Sequence, residues 1–162
     1  MSLLKKAPKD VSVTKGWTLT KRDYPPSKLR DATNEEVSNL KKAANACVEN
    51  IETIIGVKLA YNQESLKRLD DLIDSHWGGM NPPEGFKGEI VVMGAFLGEC
   101  INGNLGSHWV YDENNKMFGV QHEKVGTAFP FNKVEKRFYI GRTNCLETMY
   151  EAFEDALNPV AS

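Results

Sequence analysis

The chain has 162 residues, 41% of them hydrophobic and 26% charged, which suffices for one buried core and excludes a wholly disordered polymer. Its three cysteines, Cys47, Cys100 and Cys145, are odd in number and widely spaced, which argues against a zinc ribbon, a thioredoxin-like motif or a disulfide scaffold. The net charge of −2 divides unevenly: residues 1–32 carry eight Lys/Arg against three Asp/Glu, +5, and the remainder twelve against nineteen, −7.

Residues 1–32 read as a basic N-terminal arm and residues 33–158 as a single α+β domain. In the arm, Val11, Val13, Trp17 and Leu19 suggest a short edge strand, which Pro25-Pro26 ends. Thr33-Asn34-Glu35-Glu36 fits a capping box. Val37, Leu40, Ala44, Cys47, Val48, Ile51, Ile54 and Ile55 then recur on one face of a 3.6-residue period, and Gly56 supplies a stop. A second helix runs from about Gln63 to Trp77. Leu66, Leu69, Leu72, Ile73 and Trp77 lie on one side, with Arg68, Asp70, Asp71 and Asp74 on the other. Gly78-Gly79 closes it, and residues 81–85 are a loop.

The third helix, about Phe86 to Leu105, is apolar around most of its girth, which marks a buried helix. Its polarity is confined to a strip holding Ala95, Glu99 and Asn102. Gly94 and Gly98, four apart, make a groove where another backbone can approach closely. After Gly106 the pattern turns to strands. Trp109-Val110-Tyr111 and Met117 to Gln121 flank the polar loop Asp112 to Lys116, a β-hairpin, and Thr127-Ala128-Phe129 forms a third strand. Residues 131–140 fit both periods; a short helical turn after Pro130 and then an extended segment is the expectation. The last helix opens near Thr143 or Asn144, where Asn144-Cys145-Leu146-Glu147 resembles a capping box. It carries Leu146, Met149, Tyr150, Phe153 and Leu157 and ends at Asn158-Pro159. The sum is α+β: three helices, a small antiparallel meander, then a C-terminal helix, with the helices packed on one sheet face.

Strong catalytic signatures are missing. The sequence has no Walker loop, no dinucleotide fingerprint and no nucleophile elbow. His122-Glu123 begins like a zinc-protease motif, but Gly126 stands where the second histidine belongs. No metal and no cofactor is therefore expected. Glu99 is the most unusual residue, a carboxylate in the middle of a mostly apolar helix. If buried it needs a partner, or its pKa rises. A cation from residues 133–142 would be such a partner, whereas convergence with His108 or His122 would make an acid–base site. Cys47, Cys100 and Cys145 read as small core residues.

The segment Gly94-Ala95-Phe96-Leu97-Gly98-Glu99-Cys100-Ile101, with Trp109 after it, is distinctive. So is Phe129-Pro130-Phe131-Asn132-Lys133-Val134-Glu135-Lys136-Arg137, with Gly141 and the closing helix. Together, over about residues 62–157, these resemble a family of small uncharacterised bacterial domains. The resemblance implies an α+β fold and a bacterial source; it carries no activity, and so no catalytic residue.

Two function classes remain. The first is a non-catalytic protein-interaction module, regulatory or immunity-type, whose acidic body favours a basic protein partner. The alternative is a small enzyme using Glu99 with a convergent histidine. A nucleic-acid role for the arm is disfavoured, since no aromatic–basic repeat accompanies its charge. The start shows no signal-peptide core, and the longest apolar run, Ile90 to Leu97, is too short to span a bilayer, so a cytoplasmic location without membrane contact is expected. Deleting residues 1–20 should leave a cooperative two-state urea melt with a modest loss of stability. A molten or insoluble product would instead make those residues part of the folding unit.

Overall fold

In the computed structural model, residues 25–78 and 86–159 are described, together with the backbone of Val11–Ser12 (β1) and Thr18–Leu19 (β2). These two short strands pair antiparallel with each other in a sheet of their own, whereas one edge strand was expected; Val13 and Trp17 lie outside the described residues.

The first helix, α1 (Asn34–Ile55), starts with the predicted capping box. The Glu36 amide donates to Thr33 Oγ1 at 3.1 Å, and the Thr33 amide donates to Glu36 Oε1 at 2.8 Å. Gly56 ends it in the left-handed region at φ 77°. The second helix, α2 (Gln63–Trp77), is opened by Asn62, whose side chain accepts from the Ser65 amide at 2.8 Å. The third, α3 (Lys87–Leu105), buries Ile90, Met93, Phe96, Leu97, Cys100 and Ile101 in the centre of the core. α1 lies along it, contributing Leu40, Ala44, Cys47 and Ile51. No helix among the described residues is long and apolar enough to cross a membrane.

The main sheet has four antiparallel strands in the order β3 (Leu29–Asp31), β4 (His108–Asp112), β5 (Met117–His122) and β6 (Gly126–Ala128). Trp109 and Val120 pair across β4 and β5 and turn into the helical core. The strand β3 was not foreseen, because only three residues carry it and they lie inside the span assigned to the arm. It pairs with β4 after a gap of three helices, Leu29 opposite Asp112 and Asp31 opposite Val110.

Two polar anchors hold β3. Arg30 places its guanidinium on Glu36, at 2.8 Å from Nη1 and 3.2 Å from Nη2, and over the ring of Tyr111 at 4.7 Å. Asp112, at the start of the polar hairpin loop, is fully buried. Its carboxylate accepts from the amides of Lys28, Asn114 and Asn115 and from the Asn115 side chain. Burial opposes the Asp112 charge, but hydrogen bonds from Asn115, Ser27 and the Lys28 amide outweigh it and hold the carboxyl below the usual range. Asn114 and Asn115 also donate to the carbonyls of Pro26 and Pro25, so the loop is pinned to the incoming chain.

After the sheet come two helices, where one was expected. Residues 130–140 form a complete helix, α4 (Pro130–Ile140), rather than a turn followed by an extended segment. Pro130 at its first turn is preorganised for a helix. Packing against α3 decides between the two periods, because the helical one buries Val134, Arg137 and Phe138 together. A short 3₁₀ turn (Arg142–Asn144) leads to α5 (Leu146–Leu157). The expected Asn144 cap does not form; Cys145 occupies the cap position and its side chain makes no capping bond.

The Arg30 bond, with the Thr33 amide second, holds the Glu36 carboxyl down, from 4.5 to about 2. A depressed carboxyl contributes stability above its unfolded pKa and loses it as pH falls through the folded one. Glu36→Gln should therefore melt below wild type at pH 7, and the gap should close between pH 4.5 and about 2. Thermal melts across that range test this; a gap independent of pH would remove the Arg30–Glu36 link as its cause.

Candidate functional site

Two polar constellations are built into the apolar interior, and both draw on α3 or on the helices around it. The first centres on Glu99. Its Oε2 accepts from the indole Nε1–H of Trp109 at 2.9 Å. The ring of Trp109 lies on Gly98 so closely that a Cβ there would stand 2.0 Å from the indole Cη2. One turn earlier, a Cβ on Gly94 would meet the ring of Phe131 at 2.6 Å. Trp109 and Phe131 themselves sit 6.1 Å apart between ring centroids. The glycine groove on α3 therefore holds aromatic rings, and not a second backbone as expected. Glu99 orients the indole that fills it.

The expected cation for Glu99 goes elsewhere. Arg137, fully buried on α4, donates from Nε to Asp70 Oδ1 at 2.9 Å and from Nη2 to Asp70 O at 3.0 Å and Asp74 Oδ1 at 2.7 Å. Asp70, 2% exposed, was placed on the polar side of its helix and is instead in the core. Its carboxylate also accepts from the amides of Leu146 at 2.9 Å and Glu147 at 3.1 Å. It therefore caps α5 from α2, with its negative charge at the positive end of that helix. Arg142 bonds both Asp71 and Asp74 and continues the network outward. Burial opposes the Asp74 charge, but the bonds from Arg137 and Arg142 outweigh it and keep the carboxyl below its ordinary range.

A signal for this pair was present in the sequence. Asp70 falls four residues after Leu66 and three before Ile73, on the apolar stripe of α2, and Arg137 falls three after Val134. Two opposite charges in core positions of two amphipathic helices mark a buried ion pair.

The histidines do not join Glu99 in a hydrogen-bonded set. His108 neighbours Trp109 on β4 and so points to the opposite sheet face, where its Nε2 lies 3.1 Å from Asp31 Oδ1. The Nδ1 of His122 accepts from the Lys124 amide at 3.1 Å. His76 packs edge-on against Trp77 at 4.9 Å. Burial first, and the Glu99 charge second, push the Tyr61 phenol up to about 12. That hydroxyl donates to Asn45 Oδ1 and the ring packs on Phe96.

The thiols of Cys47 and Cys100 are buried, and burial pushes the first up to about 12 and the second higher still. Both thus stay protonated and weakly nucleophilic. Cys145, partly buried, donates its thiol to the Arg142 carbonyl at 2.9 Å. Among the described residues, no three His, Cys, Asp or Glu side chains are grouped to hold a metal ion. Chemically, then, Glu99 is a hydrogen-bond acceptor for an aromatic ring, and the charged cluster is a helix-joining network.

Two stability outcomes follow. Gly98→Leu should cost more than about 2 kcal/mol, because the side chain must displace the Trp109 indole; a urea midpoint equal to wild type would reject the contact. Arg137→Met should cost about 3–5 kcal/mol by leaving Asp70 buried without its cation. Asp70→Leu/Arg137→Met should recover only part of that loss, because the cap on α5 is gone too. Full recovery in chemical denaturation would show that Asp70 does not cap α5.

No family model matches the chain, and no curated protein matches it. A crystal structure from Bacteroides thetaiotaomicron VPI-5482 is similar in fold, with a TM-score of 0.56 at 18% sequence identity, over 85% of this chain and 50% of that one. The chain thus spans about half the length of that structure, and the likeness is one of fold alone.

Proposed function

We propose that this chain is a non-catalytic protein-interaction module, regulatory or immunity-type and cytoplasmic, that receives a basic segment of a partner protein on its acidic helical surface. The observation that carries this reading is the crowding of carboxylates on α5. Glu147, Glu151, Glu154 and Asp155 recur there on successive turns. Burial first, and a hydrogen bond shared with Glu151 second, push the Glu147 carboxyl above its ordinary value; the Glu151 charge adds to this and Lys67 opposes it. Glu147 Oε2 is shielded from solvent and has no hydrogen-bond partner among the described residues. Like charges held this close destabilise a helix by a few tenths of a kcal/mol per pair, and a partner's Lys or Arg side chains would relieve that repulsion. The −7 carried by residues 33–162 would also speed encounter with a basic surface.

The engagement of Glu99 by Trp109 supports the non-catalytic half of the reading, because it gives this carboxylate a structural task. In this reading the chain belongs with the small uncharacterised bacterial domains that it resembles over about residues 62–157.

The test is affinity capture from lysate of the source organism with wild type and with Glu151→Gln/Glu154→Gln/Asp155→Asn, from about 0.05 M to about 0.5 M salt. The expected outcome is a basic protein retained by wild type at low salt, released as salt rises, and not retained by the variant. Equal capture by both would overturn the α5 surface. Substrate turnover abolished by Glu99→Gln in a folded protein would overturn the non-catalytic reading and favour the enzyme.

A further inference from the structure

We draw no further inference here: the strongest candidate, the partly exposed apolar side chains Ile54, Val57 and Tyr61 where α1 passes into α2, is an unpartnered face, and nothing in the structure shows what covers it.

Discussion

The carboxylate of Asp70 is where α2, α4 and α5 meet, and their arrangement depends on it. It takes the Nε of Arg137 and the first two amides of α5, 2.9 to 3.1 Å away. A carboxylate and a guanidinium taken out of water together lose several kcal/mol of solvation each, which their attraction recovers only with good geometry and further hydrogen bonds. Asp70 has those further bonds. Arg137 has most of them: Nε and Nη2 are engaged, while Nη1 is buried without a hydrogen-bond partner among the described residues. Such a pair adds little net stability compared with well-packed apolar residues, but a misplaced α4 or α5 would leave a buried charge uncompensated. The ion pair therefore selects one packing of three helices over its neighbours.

The other constraint is steric and lies along α3. Gly94 and Gly98 cost α3 helix propensity, about 1 kcal/mol each relative to Ala. In return the rings of Phe131 and Trp109 lie against the bare backbone of α3. Phe131 belongs to α4 and Trp109 to β4, so this seam fixes both α4 and the sheet to α3. The Glu99–Trp109 hydrogen bond sets the orientation of the indole within the seam. A half-buried carboxylate on α3 thus serves the fold.

Four charged groups within the fold have structural partners: Asp112 in the hairpin loop, Asp70 and Arg137 at the helix junction, and Glu99 on an aromatic ring. The Glu147 carboxyl on α5 differs, since burial and its hydrogen bond with Glu151 push it above its ordinary range.

Much of the helical framework was legible from the sequence alone. Local rules govern both ends of α1 and the end of α2, where Thr33, Gly56 and Gly78 act through bonds and dihedrals within a few residues of themselves. The burial of α3 and the β4–β5 hairpin follow from composition and period, which need no knowledge of neighbours. Tertiary structure decided the rest. The strand β3 exists because β4 pairs with it from the far side of three helices. Residues 130–140 fit either period, and the apolar face of α3 selected the helix. The cap of α5 comes from Asp70, some 76 residues away, which no reading of residues 143–147 could disclose. Asp70, Arg137 and Glu99 were all visible as charged residues. Which of them pair is set by the crossing of helices and strands, because a buried charge is satisfied by whatever the fold brings within about 3 Å.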